Sequence, residues 1–401
     1  MSITAAVSSP ERAVNAAPVR ALGAPRPMSV AIYLHDLAGG GVERQSLIIA
    51  EEFRRSGIEV TMVLHRLRGQ LLHEMPAGLR VVDLHSSRTL GDIWPLIRFL
   101  RRERPDVLLS NLDLNNVAAL LAKAVSFSRT RTVICQHNPI TASFGGGENW
   151  MYRAVPHAYR MLRPLISSAV AVSRGVADEL CDVAGLPRDR VVTITNPVIG
   201  PEFHDRSQLP VSHPWFADEH RPVFVTAGRL VVQKDHETLL RAMALHRQVG
   251  AGRLIVLGCG PLEQPLRTLA QELGIADSVD FAGFQANALP YFRQADAFIL
   301  SSRCEGFGNV LVEALGCGTP VISTRCEHGP AEILADGRYG VLVEPRNPTA
   351  LAAAMNDAAT LRERFPPEEL RLRAADFSYA ACAARYITMF KALAPHRAWV
   401  A

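Results

Sequence analysis

The segment SSRCEGFGNVLVEALGCGTPVIST, residues 301–324, decides how the chain reads. The apolar run Ala297–Leu300 precedes it and reads as a strand. That run breaks into a loop carrying Gly306 and Gly308. A helix is predicted to open near Asn309 and to stop at Gly316 or Gly318, and a strand comes next at Pro320–Ser323. Strand, glycine loop, helix, strand is the unit of a parallel sheet. The bare amides of Gly306, Phe307, Gly308, Asn309 and Val310 would lie at the positive end of the helix, where an anion binds. Glu305 and Glu313 flank that place. A carboxylate repels a phosphate, so its expected partners are hydroxyl groups beside the phosphate. A nucleotide-sugar has this layout, with ribose hydroxyls on one side of a diphosphate and sugar hydroxyls on the other. Glu313 reads alternatively as a solvated helix residue, yet its helix, VLVEALGC, is otherwise apolar, and a free charge there is costly.

Outward from this segment the same alternation recurs. Upstream, strands are predicted at Val223–Ala227, Leu254–Leu257 and Val279–Phe281, with helices over His236–Gln248 and Leu262–Leu273. Downstream come a strand at Val341–Val343 and a helix at Thr349–Thr360. Residues 197–222 hold five prolines and little periodicity, and read as a linker. Before them the pattern runs through strands at Val30–Leu34, Val60–Leu64, Leu79–Leu84, Val107–Ser110, Thr132–Cys135 and Ala169–Val172. Helix-like stretches at Glu43–Arg55, Ile93–Arg104, Leu114–Val125 and Trp150–Leu165 lie between them. The expected fold is α/β, two doubly wound Rossmann-like domains facing a cleft. The expected boundaries are a tail over 1–27, a first domain over 28–200, a linker over 201–221, a second domain over 222–376 and a C-terminal helical segment over 377–401.

Composition excludes several classes. With 401 residues, 48% of them apolar and 20% charged, the chain is long enough for two domains and too apolar for wholesale disorder. Mean hydropathy is +0.08, and no apolar run approaches the length of a membrane-spanning helix. The first 27 residues lack a basic start and a continuous apolar centre, unlike a secretory signal. Seven scattered cysteines, without a C-x-x-C pair, speak against a disulfide scaffold or zinc ribbon and for a reducing cytoplasm. The net charge of +4 is too small to indicate nucleic acid, and no nucleic-acid motif accompanies it. Only three lysines stand beside forty arginines, the mark of a GC-rich genome.

Three further segments carry candidate chemistry. In TAGRLVVQKD, residues 226–235, a strand ends at Gly228, and Arg229 and Lys234 come after it as cations suited to a diphosphate leaving group. By themselves they read equally as surface charges. In LAGGGVER, residues 37–44, Gly40 and Gly41 stand where a first strand turns into a helix and a ligand can approach the backbone. The pattern is not G-x-G-x-x-G, so a dinucleotide fingerprint fails. His137, in Cys135-Gln136-His137-Asn138, ends a predicted strand and would face the cleft, though a lone His is more often a structural hydrogen-bonder. No D-x-D, H-E-x-x-H or P-loop occurs, so no metal or other cofactor is expected.

The spacing of E-G-F-G-N-V-L-V-E, E-x7-E, resembles the signature of the retaining family 4 glycosyltransferases of GT-B fold. G-R-L-x-x-x-K-D at 228–235 matches that family's pattern completely, and EHGPAEIL at 327–334 resembles a variant of it. The resemblance spans residues 28 to 392. It implies that Glu313 holds the ribose hydroxyls, that Glu305 contacts the donor sugar, that the backbone of Gly306–Val310 holds the diphosphate, and that Arg229 and Lys234 neutralise it as it leaves. It places His137 by the reacting centre and the loop of Gly40 and Gly41 towards the donor phosphate and acceptor. Less specifically, it places Gly258 near the donor, Phe284 and Gln285 near the base, and Ser173 and Asn196 at strand ends.

The activity implied by the resemblance is a bacterial, retaining, metal-independent transfer of a hexosyl or N-acetylhexosaminyl group. The donor is a nucleotide-sugar, most simply UDP-linked. The acceptor is a hydroxyl of a glycan or lipid-linked glycan in polysaccharide or glycolipid assembly. The second domain would bind the donor and the first the acceptor, and the C-terminal helix would pack back on the first domain. Two basic amphipathic stretches, WPLIRFLRRERP (94–105) and WMYRAVPHAYRMLRPLI (150–166), suit peripheral contact with an anionic membrane at the inner face of the cytoplasmic membrane, and equally suit ordinary surface helices. The alternatives are a same-fold UDP-sugar epimerase and a non-catalytic nucleotide-sugar-binding scaffold of a glycan assembly complex.

Overall fold

The computed structural model describes residues 26–86, 88–140, 150–217 and 221–394. Two parallel sheets organise them. The first contains β1 (Ser29–Leu34), β2 (Glu59–Leu64), β3 (Arg80–Asp83), β4 (Val107–Asn111), β5 (Arg131–Gln136), β6 (Ser168–Ala171) and β7 (Val191–Thr193), in the order β3-β2-β1-β4-β5-β6-β7. The second contains β8 (Val223–Ala227), β9 (Arg253–Leu257), β10 (Val279–Gly283), β11 (Ala297–Leu300), β12 (Val321–Thr324) and β13 (Val341–Val343), in the order β10-β9-β8-β11-β12-β13. The inner strands read as continuous apolar runs because helices cover both faces: β4, β6, β8, β11 and β12 are buried at every position.

The strand order reverses direction between β1 and β4 in one sheet and between β8 and β11 in the other. Crevices open beyond the carboxyl ends of strands at such points. His35 and Asp36 come after β1, Asp113 after β4, Gly228 after β8, and Ser301–Glu305 after β11. The alternation of the sequence therefore delivers the candidate residues to two crevices, one per sheet.

Several elements depart from expectation. The predicted linker is partly folded. It carries α6 (Phe203–Gln208) and a 3-10 turn at Pro214–Ala217, and Phe203 is buried, while Phe216 meets Tyr291 edge-on at 6.2 Å. Its prolines hide a helix of under two turns. The short β7 and the helix α5 (Arg174–Ala184) are likewise absent from the sequence-based expectation. Of the predicted tail, residues up to 25 lie outside the described set, whereas Met28 is already buried under the first sheet. The last helix, α15 (Tyr379–Leu393), lies on α1 (Gly41–Arg55), with Phe53 meeting Phe390 and Tyr386 at ring separations of 5.3 and 5.8 Å.

The two basic stretches spend their apolar faces inside the domain. α2 (Ile93–Glu103) buries Leu96, Ile97, Phe99 and Leu100, and α4 (Trp150–Leu162) buries Val155 and Tyr159. Arg160 and Arg163 donate to the carbonyls of Val183 and Gly185 at the end of α5. What stays exposed is Trp94, Met161 and the arginines around them. Among the described residues no helix is long and apolar enough to cross a membrane, and all seven cysteines are free thiols.

Candidate active site

The second-domain crevice is built from two loops stitched together. After β8, the chain turns at Gly228, passes Arg229 and closes a 3-10 turn at Val232–Lys234. After β11, the Ser301 hydroxyl donates to the Lys234 carbonyl, the Arg303 amide donates to the Gln233 carbonyl, and the Gln233 amide group donates to the Cys304 carbonyl. These bonds bring Lys234 Nζ to 2.6 Å from Glu305 Oε1, and that same oxygen accepts from the Ser302 hydroxyl at 2.5 Å. The side chains of Glu305 and Lys234 are 7% and 18% exposed, so each charge depends on the other for compensation. Arg229 is exposed and makes no ion pair among the described residues.

Glycine supplies the clearances. Gly258 has φ +129°, and a Cβ there would lie 2.0 Å from the Gly228 carbonyl oxygen. Only glycine therefore lets this turn approach the first loop so closely. Asp235, at φ 49°, accepts from Arg303 at 2.9 Å and from the Thr238 hydroxyl at 2.9 Å. Burial acts to raise its carboxyl, but the bonds from Arg303 and Thr238 outweigh it and hold the group below the usual carboxylate range. Sequence reasoning gave no role to Asp235, Ser302 or Arg303. The K-D pair pointed at the first of them, and the other two carry no motif.

The helix α10 (Asn309–Cys317) begins at the N-cap Gly308, φ 104°, which has no side-chain cap. The Leu311 amide donates to the Gly308 carbonyl at 2.9 Å, while the amides of Asn309 and Val310 have no partner within the helix and point out of its positive end. Phe307 itself is buried, its ring 5.5 Å from Phe377 edge-on, so this residue offers its backbone and not its ring. Glu313 lies on the second turn, half-buried, with no hydrogen-bond donor to its carboxylate among the described residues. Burial pushes its carboxyl above the ordinary range, opposed by Arg206 and Arg44. Phe284 is 75% exposed after the edge strand β10, and Gln285 donates to the Ala282 carbonyl. Two strand spacings, about 10 Å, separate β10 from β8, so these two do not join the Lys234–Glu305 cluster.

The first domain closes the crevice. A Cβ on Gly306 would lie 2.1 Å from the His137 carbonyl oxygen, so only glycine lets the two domains touch there. Asn196 donates to Asn309 at 2.9 Å, and the Arg174 amide donates to Glu332 at 2.7 Å. Ser173 instead caps α5 by accepting from the Val176 amide. His137 follows directly after β5, with Nε2 2.9 Å from Asn111 Oδ1 at the end of β4, and its Nδ1 is buried without a partner among the described residues. Burial lowers its pKa to about 4, so the ring is neutral at pH 7. Asn111 is invisible to motif reading. Gly40 caps α1 and Gly41 is its first residue; the Glu43 carboxylate folds over Gly40, 2.2 Å from where a Cβ would stand, while Gly41 has open space. Among the described residues, no three His, Cys, Asp or Glu side chains are grouped to hold a metal ion.

Among the described residues the geometry thus offers a cleft with unpaired amides at a helix N-terminus, a paired Lys–Glu, an arginine outside any ion pair and a carboxylate without a donor on one side, and a neutral histidine on the other. Comparison with known proteins agrees with this arrangement. Residues 39–199 match the family Glycosyltransferase Family 4, and residues 212–376 match the family Glycosyl transferases group 1. The lipopolysaccharide core biosynthesis glycosyltransferase LpsE of Rhizobium meliloti (strain 1021) is 32% identical over 373 residues, which cover 89% of this chain and 97% of that one. Among solved structures, Alr3699/HepE of Anabaena in complex with UDP superposes with a TM-score of 0.75 at 19% identity, covering 91% of this chain and 100% of that one. A glycosyltransferase from Rickettsia africae ESF-5 gives 0.76 at 16% identity, covering 92% and 99%. At those identities the two structures establish the fold. The chain belongs to the GT-B glycosyltransferases, with a family 4 domain followed by a group 1 domain.

Proposed function

We propose that this glycosyltransferase moves a hexosyl or N-acetylhexosaminyl group from a UDP-sugar to a hydroxyl of a glycan or lipid-linked glycan, with retention at the anomeric carbon and without a metal ion. The observation that carries the reading is Glu313, a half-buried carboxylate with no donor from the protein, one turn beyond the bare amides of Asn309 and Val310. Vicinal ribose hydroxyls satisfy a carboxylate so placed, and the amides then meet the diphosphate. Lys234 holds Glu305 in place beside the donor sugar, and Arg229 is the cation available to the leaving diphosphate. In the step proposed, the bond from the anomeric carbon to the diphosphate breaks while the acceptor oxygen bonds to the same face. The acceptor proton passes to the departing phosphate oxygen. The protein positions and neutralises, and the neutral His137 hydrogen-bonds near the reacting centre without exchanging a proton.

The LpsE relative, named for lipopolysaccharide core biosynthesis, supports an acceptor in glycan assembly. A lipid-linked acceptor would bring the exposed Trp94, Met161 and their neighbouring arginines to the anionic inner face of the cytoplasmic membrane. The test is NMR of the linkage formed when the protein is given UDP-sugars and glycan acceptors, with and without EDTA. The expected result is the donor's anomeric configuration in the product at an unchanged rate. An inverted linkage, or loss of activity in EDTA, removes the mechanism.

A further inference from the structure

The helix α5 of the first domain ends against the second domain. It opens at the N-cap Ser173, whose hydroxyl accepts from the Val176 amide and whose carbonyl accepts from the Ala177 amide. The Arg174 amide, first in the helix, has no partner within it. It donates instead to Glu332 Oε2, 2.7 Å away on the short helix Pro330–Ile333 of the second domain. Glu332 thus completes the cap of a helix that belongs to the other domain, and its charge lies at the positive end of that helix. The carboxylate is 15% exposed, whereas the Arg174 guanidinium is 78% exposed and 3.9 Å away, so the bond to the amide is the tighter of the two.

The segment that carries Glu332 also reaches the donor loop. The Glu305 amide donates to the Glu327 carbonyl at 3.2 Å. Gly329, at φ 94°, lies so close to Phe307 that a Cβ would stand 1.8 Å from the Phe307 carbonyl oxygen. Between them His328 is held at φ 66°, a left-handed conformation uncommon for a residue with a side chain and kept only where the surroundings fix it. Its imidazole packs on the first turn of α5, where a Cβ on Gly175 would lie 2.0 Å from His328 Nδ1. Residues 327–332 therefore touch Glu305 and Phe307 on one side and α5 on the other. The chain passes between the domains at two adjacent places, where the Val198 and Ile199 amides donate to the Phe377 carbonyl and Ile199 bridges to Ser378. Rotation about these crossings would part Glu332 from α5 without breaking either sheet.

We propose that Glu332 is the latch of the cleft: by capping α5 from the other domain it holds the domains closed, and through His328 and Gly329 it ties that closure to the loop carrying Glu305. Glu332 is a positioning residue. It acts on transfer by keeping His137 against the donor loop, not by touching the substrate. Loss of one hydrogen bond to a charged group shifts such an equilibrium about 10- to 100-fold. The kinetic consequence rests on the UDP-sugar reading above; closure itself does not.

Arg174→Pro tests the latch at one atom. Proline suits the first position of a helix, and Ser173 before it is already extended at φ −149°, ψ 163°, so the variant should fold while losing the amide that Glu332 accepts from. Arg174→Ala keeps that amide. Small-angle scattering of the nucleotide-free full chain should give a larger radius of gyration for Arg174→Pro and Glu332→Ala than for wild type and Arg174→Ala. At saturating UDP-sugar the first two should cleave the donor about 10- to 100-fold more slowly, with UDP affinity nearly unchanged by calorimetry. The double variant should be no slower than the slower single one, because both remove the same bond. Failure of the wild type to bind UDP strikes the UDP-sugar reading and leaves scattering to decide the latch. Equal scattering by all four proteins, Arg174→Pro cleaving as fast as Arg174→Ala, or additive losses in the double variant would each overturn the proposal.

Discussion

Replacing Gly306 by Ala separates domain closure from donor binding. Gly306 does not occupy a left-handed conformation, so alanine fits its backbone. Its Cβ, however, would lie 2.1 Å from the His137 carbonyl oxygen across the cleft, where ordinary contact begins near 3.4 Å. Both groups are backbone, so no side chain can rotate away, and the domains must part by about 1.3 Å to relieve the clash. A misplacement of about 1 Å between reacting groups costs about 100-fold in rate. Gly306→Ala should therefore cleave the donor about 100-fold more slowly, equivalent to about 2.7 kcal/mol, with nucleotide affinity nearly unchanged because Glu313 and α10 are untouched. Stopped-flow donor cleavage beside calorimetric UDP binding makes the measurement. A Gly306→Ala rate close to wild type would refute the reasoning and mean that catalysis does not use this contact.

Glu313→Gln removes a half-buried charge whose folded-state pKa is raised, so it should raise the Tm of the nucleotide-free protein at pH 7. The wild type should lose its Tm deficit relative to this variant as pH falls through that raised pKa, and UDP affinity in the variant should fall about 10- to 100-fold by calorimetry. Lys234→Ala leaves Glu305 buried without its partner and should cost about 3–5 kcal/mol in denaturant unfolding; Lys234→Met with Glu305→Gln should recover much of that stability but not donor cleavage. His137 and His236 are both lowered by burial to about 4. The unfolded chain binds more protons than the folded one between about pH 6.5 and 4, so Tm should fall across that window and stay level above it. The pH–rate profile should likewise show no histidine inflection between about 5 and 8.

The sheets were legible because buried parallel strands leave continuous apolar runs that need no partner to be recognised. The glycine loop after β11 and the K-D turn after β8 were legible for a related reason, since backbone clearances restrict residue choice at fixed spacing. What escaped were short or relational features. α6 spans six residues among prolines and has too few turns to show a period. Asn111 acts only through His137, and Ser302 only through Glu305, each pairing set by strand order that sequence does not display. The basic stretches were legible as amphipathic helices but their use was not, because amphipathicity tells that a face is apolar and not what covers it. Phe284 and Gln285 were placed near the base by analogy alone; they come after β10, two strands away from β8 and the Lys234–Glu305 pair.

The central claim is that Glu313, α10 and Lys234 form a nucleotide-sugar site that works without metal. The most direct measurement is binding and slow hydrolysis across UDP-, GDP- and ADP-sugars in EDTA, with Glu313→Ala and Lys234→Ala alongside. The account predicts that a UDP-sugar binds and is cleaved, and that both variants lose it. No nucleotide-sugar binding at millimolar concentration, or variants that bind and cleave as wild type, would contradict it.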